Sequence, residues 1–169
     1  MERIERTAIR NLIHNEQYCR KVLPFIKEEY FTDRLEKVLF TEIYKFVNKY
    51  NNLPTKESLS IEINGNKSIN EDEYKQVTDI LSTLNPEPVN LEWLVETTEK
   101  FCKDRSIHNA VLNGIQIIDG KDKNHTLEYL PELLSNALSV SFDQKVGHDY
   151  LLESKERYDY YNRKEERLE

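Results

Sequence analysis

Residues 91–118, LEWLVETTEKFCKDRSIHNAVLNGIQII, are the stretch that decides the fold. The stretch predicts one uninterrupted helix of about seven turns, at about 3.6 residues per turn. Gly (four) and Pro (five) are scarce in the chain, which disfavours an architecture rich in tight turns, so the predicted fold class is all-α. The apolar positions of the helix, with His108 beside them, are Leu94, Phe101, Cys102, Val111, Leu112, Ile115 and Ile118.

A Leu-rich segment follows the long helix after the polar loop 119–124. Its apolar spacing predicts a return helix, and a long helix with a short loop and a return helix makes an antiparallel helical hairpin. Two helices cannot bury both of their faces alone, so either the rest of the chain or a second copy must cover the spare face. The apolar residues of the return helix are Leu127, Leu130, Leu133, Leu134, Ala137, Leu138 and Val140.

The residues before the hairpin predict a small helical bundle. Leu35–Tyr50 repeats apolar residues at helical spacing and is expected to be its central helix. Pro24 should interrupt or kink the second helical stretch, and the 51–54 segment should end the central helix. Asn70 with Glu73 forms a predicted capping-box pair. The proposed domains are the bundle at 1–88, the hairpin at 89–141, and a linker with a linker helix at 142–169.

The C-terminal segment predicts a helix that has no partner within its own domain. From Tyr150 to Glu169, 11 of 20 residues are charged. Leu151, Tyr158 and Tyr161 supply only a thin apolar stripe, so this helix is expected to dock on something other than the bundle.

Charge and composition restrict the class of function. The chain carries 24 basic and 31 acidic residues, a net charge of -7. Binding of a phosphate backbone is therefore not its expected role, although a local basic patch is compatible with an acidic average. Cys19 and Cys102 are expected to be reduced core thiols. No signal peptide or membrane-length apolar run occurs in the sequence, which predicts a cytoplasmic protein with no membrane partner.

Motif tests predict no catalytic, cofactor or metal site, and hence no enzyme in this chain. The turn around Lys67 and Ser68 lacks the glycines of a phosphate loop, because no glycine directly precedes Lys67. No histidine lies at zinc-ligand spacing from another histidine or a cysteine.

The functional residues predicted instead form an interface. Trp93, at the base of the hairpin, is the expected single contact residue, because aromatic rings are favoured at interfaces. The remaining predicted interface residues are Leu94, Phe101, His108, Leu127, Leu130, Leu134, Leu138, Leu151 and Tyr158.

Two stretches resemble the N-terminal domain of DnaB-type hexameric replicative helicases. In the first half these are Lys27-Glu28-Glu29-Tyr30-Phe31, Leu39-Phe40 with Ile43, and Leu53-Pro54-Thr55 with Leu59. In the second half, Ala137-Leu138-Ser139-Val140-Ser141-Phe142-Asp143 and Val146-Gly147-His148-Asp149-Tyr150 are most similar to the helicases of T-even-type phages.

The resemblance implies a role in DNA replication, within a hexamer that unwinds DNA at the fork. In that family the hairpins pair into a collar, the collar docks primase, and the linker helix docks on a neighbouring ATPase domain. ATP and magnesium are expected in that ATPase domain, which this chain lacks, and DNA is contacted through the whole ring. No catalytic residue of the family falls on this sequence, which is expected to be a fragment.

A different class of function stays open at this point. A stand-alone helical DNA-binding accessory protein, such as a helicase loader, is also all-helical and would bind forked or single-stranded DNA in a salt-dependent way. The motif tests disfavour a third class, a hydrolase with an unrecognised catalytic site.

Overall fold

The computed structural model describes residues 3–142, which contain helices and connecting loops but no strand. Residues 143–169, including the predicted linker helix with Leu151 and Tyr158, lie outside the described residues. The described part confirms the all-α class. Its α-helices are α1 (Ile4–His14), α2 (Glu16–Val22), α3 (Arg34–Tyr50), α4 (Lys56–Asn64), α5 (Glu71–Thr83), α6 (Leu91–Ile118) and α7 (Leu130–Leu138), with short 3₁₀ helices at Glu28–Tyr30 and Leu127–Tyr129.

Local capping chemistry sets most of the helix ends. The Asp33 carboxylate accepts hydrogen bonds from the amides of Leu35 and Glu36, and this fixes the start of α3. Asn51 ends α3 in the left-handed conformation, with φ 53°, at the first residue of the 51–54 stop that the sequence predicts. The long helix begins at Asn90, whose side chain accepts from the Trp93 amide at 2.9 Å.

The predicted capping box at the start of α5 is only half formed. The Asn70 side chain accepts from the Glu73 amide at 2.8 Å, as predicted. The Glu73 carboxylate, however, accepts from Arg34 Nε at 2.7 Å rather than returning to the Asn70 amide. An ion pair to a neighbouring helix therefore replaces the second half of the box.

Helices α1 to α5, with the first half of α6, form one core around α3. Leu39 and Ile43 of α3 are fully buried, and the ring of Phe40 stacks on Phe31 at 5.1 Å between ring centres. α6 supplies the other wall, because Leu94 is completely buried and Thr98 Oγ1 lies 2.7 Å from the buried Tyr18 hydroxyl. The long helix thus belongs both to the bundle and to the hairpin.

Glu36 is the most deeply buried charged side chain in the described part of the bundle. Glu36 is 0% exposed, and its carboxylate pairs with Arg3 and Arg6 of the first helix and its cap. Burial raises the pKa of Glu36, and the two guanidinium groups oppose that shift. The pairing fastens the start of the described chain to the first turn of α3.

The two cysteines are buried free thiols, as the sequence predicts. Burial raises the pKa of Cys19 to about 11 and that of Cys102 to about 12. Thiols with such pKa values hold their protons at neutral pH, and they therefore act as core side chains rather than as nucleophiles.

Candidate self-association surface on the helical hairpin

The second half of α6 leaves the bundle and packs against α7. The seam between the two helices buries Ala110, Gly114 and Ile117 of α6 and Ala137 of α7. A methyl group on Gly114 would lie 3.1 Å from Cδ2 of Leu130, so the absence of a side chain at Gly114 lets α7 approach closely. Small residues thus bring the two helices together.

The chain returns to the bundle after α7. Phe142 is buried, and its ring stacks on Phe25 with 5.0 Å between ring centres. Because Leu130 contacts Gly114 near the far end of α6 and Phe142 reaches the bundle, α7 runs back along α6. The contact between Phe142 and Phe25 anchors the end of the return arm at the base of the hairpin.

Two hydrogen bonds fix the angle at which α6 leaves the bundle. Arg105 Nε donates to the Tyr30 carbonyl oxygen at 3.1 Å, and Asn109 Nδ2 donates to the Glu29 carbonyl oxygen at 2.9 Å. Both acceptors lie in the 3₁₀ helix Glu28–Tyr30. The segment that carries the first family likeness therefore holds the middle of the long helix.

The hairpin leaves large apolar side chains exposed beyond this attachment. On α6, Val111, Ile115 and Ile118 are 47%, 46% and 63% exposed. On α7, Leu134 and Leu138 are 39% and 59% exposed. We call these five residues the hairpin face; Leu112 and Leu127, both more than half exposed, lie at its margins.

Helical geometry puts the five residues on one side of the hairpin. Each residue of an α-helix is rotated by about 100° from the last, so Val111, Ile115 and Ile118 lie about 100° from the seam on α6. Leu134 and Leu138 are displaced in the same rotational sense from the seam on α7. Since the two helices run in opposite directions, these displacements lead to the same side.

The opposite flank of α6 is polar. Arg105 and Asn109, which hold the 3₁₀ helix, are followed on this flank by Asn113 and Gln116. The hairpin is therefore amphipathic as a unit, and only one of its flanks exposes a continuous apolar surface. An exposed apolar patch of this kind marks a contact surface.

The tip of the hairpin is ordered by a small polar cluster. His125 Nδ1 lies 3.0 Å from Asp122 Oδ2, and the His125 ring stacks on Tyr129 at 4.2 Å between ring centres. The amide of Asn124 donates to Asp122 at 2.8 Å. This backbone hydrogen bond, and then the contact with His125, lower the pKa of Asp122.

The structure divides the predicted interface residues into groups. Leu127, Leu134 and Leu138 are exposed on the hairpin, and Leu130 is half-buried against Gly114. His108 is exposed one turn before Val111. Leu94 and Phe101 do not belong to this surface: they are 0% and 9% exposed, because the first half of α6 turns that side into the bundle core.

Trp93 is exposed, but it lies far from the hairpin face. Its side chain is 53% exposed on the first turn of α6. Val111 lies about 27 Å further along the helix, at about 1.5 Å per residue. Lys100 and Asp104 occupy the same flank between them, so Trp93 and the hairpin face are two separate surfaces.

Sequence reasoning left three residues of the hairpin face out of the predicted interface. Val111, Ile115 and Ile118 follow helical spacing among themselves. Their positions are rotated by about 80° from those of Leu94 and Phe101, at about 100° per residue. This rotation could have indicated a second surface from the sequence, because it shows that two different sides of one helix are apolar.

The described residues offer no metal or membrane site. Between residues 3 and 142, no three His, Cys, Asp or Glu side chains are grouped so as to hold a metal ion. None of the helices in this range combines the length and the apolar character needed to cross a bilayer.

Comparison with known proteins agrees with the resemblance drawn from the residues. No family model matches the chain. The chain is 33% identical to the DnaB-like replicative helicase of Enterobacteria phage T4 over 149 residues, which cover 83% of this chain. The match covers 31% of that relative, so the chain spans about a third of its length. The resemblance to DnaB-type replicative helicases is thereby confirmed.

Proposed function

Because most of the chain is similar to part of a DnaB-like replicative helicase, we propose that it is the N-terminal oligomerisation and partner-docking domain of such an enzyme. The observation that carries the proposal is the hairpin face, five exposed apolar residues on one side of a paired-helix arm. A second copy, presenting the same face about a two-fold axis, would bury both sets at once.

Burial of the hairpin face would contribute favourable free energy to such pairing. Complete burial of a Leu, Ile or Val side chain contributes roughly 1.5–3 kcal/mol. The side chains of the hairpin face are about half exposed, so each one gains about half of that on pairing. Two copies would contribute ten such side chains, enough to offset part of the entropy lost on association. Contacts elsewhere in a complete ring would add to the stability of the assembly.

Trp93 is the proposed contact for a second kind of partner. Its indole is 53% exposed and lies about 27 Å along α6 from Val111, so a contact through Trp93 does not require the hairpin face. Exposed Trp side chains are enriched among residues that dominate binding energy at interfaces. Primase, the partner implied by the family resemblance, is the proposed ligand of this surface.

Unwinding of DNA is proposed for the whole protein and not for the described residues. The relative is a replicative helicase, and ATP with magnesium would act in a motor region outside residues 3–142. The ring, proposed to be a hexamer, would contact DNA as a unit.

Self-association is tested by charge substitutions in the hairpin face. Ile115→Asp and Leu134→Asp should each weaken association of the chain at least tenfold, because pairing would bury an unpaired carboxylate. Sedimentation-velocity measurements across a concentration series give the dissociation constants. Ile61→Asp is the matched control, because Ile61 is 71% exposed on α4 of the bundle.

Two outcomes would contradict hairpin pairing. One is a chain that stays monomeric at the highest concentration reached. The other is an association that Ile61→Asp weakens as much as Ile115→Asp does. Circular dichroism of each variant checks that helix content is preserved.

A further inference from the structure

An open cleft lies on the bundle, away from the hairpin face. Its volume is about 690 Å³, and it is formed by the last turn of α2 with the following loop and by the last turns of α3 with the 51–53 segment. Cys19 forms part of its buried floor, and Lys21 and Tyr44 lie on its walls. The mechanism of self-association does not use this region.

The cleft borders two stretches of the chain that contain no acidic residue. Residues 17–27 and residues 43–56 each carry three Lys or Arg side chains and no Asp or Glu, in a chain whose acidic residues outnumber its basic ones. The one acidic side chain that lines the cleft, Glu16, pairs with Arg20 at 2.7 Å. Within residues 3–142 no acidic side chain forms an ion pair with Lys21, so this lysine places a positive charge on the rim of the cleft.

The lining also offers apolar surface. Leu23, Pro24, Val47 and Leu53 line the cleft, and the ring of Tyr44 is 44% exposed beside them. A phosphate backbone gains nothing from aliphatic walls, whereas a Leu, Ile or Phe side chain does. The cleft therefore combines cationic and apolar recognition in one concave surface.

The backbone of the cleft supplies hydrogen-bond acceptors. Pro24 has no amide proton, so it cannot donate to the carbonyl of Arg20 as the next helical residue would. The amide of Phe25 bonds to the carbonyl of Val22 at 2.9 Å instead of that of Lys21. α2 ends at Val22 and α3 at Tyr50, both beside this cleft. The last carbonyls of a helix lack amide partners within it, so they are available to a ligand that carries N–H groups.

We propose that this cleft binds a short peptide segment of a partner protein that combines acidic with aliphatic or aromatic side chains. Its carboxylates would pair with Lys21 on the rim, its apolar side chain would lie on Val47 and Leu53, and its backbone amides would donate to the helix-end carbonyls. The aliphatic walls of the cleft, which a phosphate backbone does not use, favour a peptide over single-stranded nucleic acid. The site is independent of hairpin pairing.

The test selects peptides from a random heptapeptide display library on the full chain and measures synthetic versions of them by fluorescence anisotropy. Selected peptides should be enriched in Asp or Glu together with Leu, Ile or Phe. Lys21→Glu should weaken their binding about tenfold, as expected for loss of a charge-assisted contact. Lys67→Glu, the same charge change at an exposed position on a different turn, should leave binding unchanged.

Nuclear magnetic resonance locates the bound peptide. The methyl signals of Val47 and Leu53 should shift on addition of the peptide, and those of Val111 and Ile115 should not. Lys21→Glu should also leave self-association unchanged, and Ile115→Asp should leave peptide binding unchanged. Failure of this proposal and failure of hairpin pairing are therefore distinguishable.

Four outcomes would overturn the proposal. The first is a set of selected peptides that is not enriched in Asp or Glu. The second is peptide binding that Lys21→Glu does not weaken. The third is a fifteen-residue oligothymidylate that competes with the peptide for the cleft. The fourth is a shift of the Val47 methyl signals in the peptide-free Leu151→Ser variant, which would assign the cleft to the chain's own later segment.

Discussion

The two halves of α6 have the same kind of sequence and opposite roles. In the first half, Leu94 and Phe101 are 0% and 9% exposed in the bundle core. In the second half, Ile115 and Ile118 are 46% and 63% exposed on the hairpin. Apolar residues in the first half of α6 therefore stabilise the fold of one copy. Those in the second half are exposed and available for association between copies.

The largest expected effect separates these halves directly. Phe101→Ala should lower the free energy of unfolding by about 3–5 kcal/mol, because it leaves a cavity beside Phe31, whose ring centre lies 6.0 Å away. Ile118→Ala should lower it by less than about 1 kcal/mol, because that side chain is already largely exposed. Urea unfolding at a concentration where the chain is monomeric measures both values. Similar losses for the two variants would show that the halves do not differ.

A second comparison sets the fully buried carboxylate of the bundle, Glu36, against the partly buried carboxylate of the hairpin tip, Asp122. Burial holds the folded-state pKa of Glu36 above its unfolded value, so the stability it contributes is present at low pH and is lost as pH rises through the folded pKa. The folded-state pKa of Asp122 is lowered, so its contribution is present above the unfolded pKa and is lost as pH falls.

The two carboxyl groups should therefore respond to pH in opposite directions. From pH 4 to pH 7, the unfolding free energy of Glu36→Gln should rise relative to that of the natural chain. For Asp122→Asn, the deficit relative to the natural chain should shrink as pH falls below 4. Unfolding by urea at a series of pH values measures both differences. A Glu36→Gln difference that is constant with pH would mean that Arg3 and Arg6 fully compensate burial.

The smallest expected effect is at the seam of the hairpin. Gly114→Ala gains about 1 kcal/mol in helix propensity, but its methyl group would press on the end of the Leu130 side chain. The two effects should leave the free energy of unfolding within about 1 kcal/mol of the natural value. Methyl resonances of Leu130 should shift, whereas those of the bundle should not. A large loss of stability would mean that α7 cannot give way at all.

The sequence was sufficient to predict features set by neighbouring residues. The bounds of α6 and the stop after Tyr50 follow from Asn90, Asn51 and Pro54, each of which acts on adjacent backbone. The confirmed family resemblance likewise rests on short strings of residues. Local chemistry of this kind does not depend on how the helices pack.

Features that depend on distant parts of the chain were not predictable in the same way. Leu94 and Ile115 look alike in sequence, and only the position at which α6 leaves the bundle makes one buried and the other exposed. Nothing near Glu36 in the sequence indicates burial, because its partners Arg3 and Arg6 lie in another helix and its cap. The cleft between α2 and α3 is likewise created only by packing.

Arg105 and Asn109 attach the middle of α6 to the Glu28–Tyr30 turn. The turn can therefore act as a fulcrum, a fixed point about which the second half of the helix tilts. The arm from Arg105 to Ile118 is about 20 Å long, so a rotation of about 10° at the fulcrum displaces its far end by about 3 Å. A displacement of that size is enough to take apolar side chains out of register with a partner. A ligand that tilts this turn would therefore change how strongly the hairpin face binds a partner.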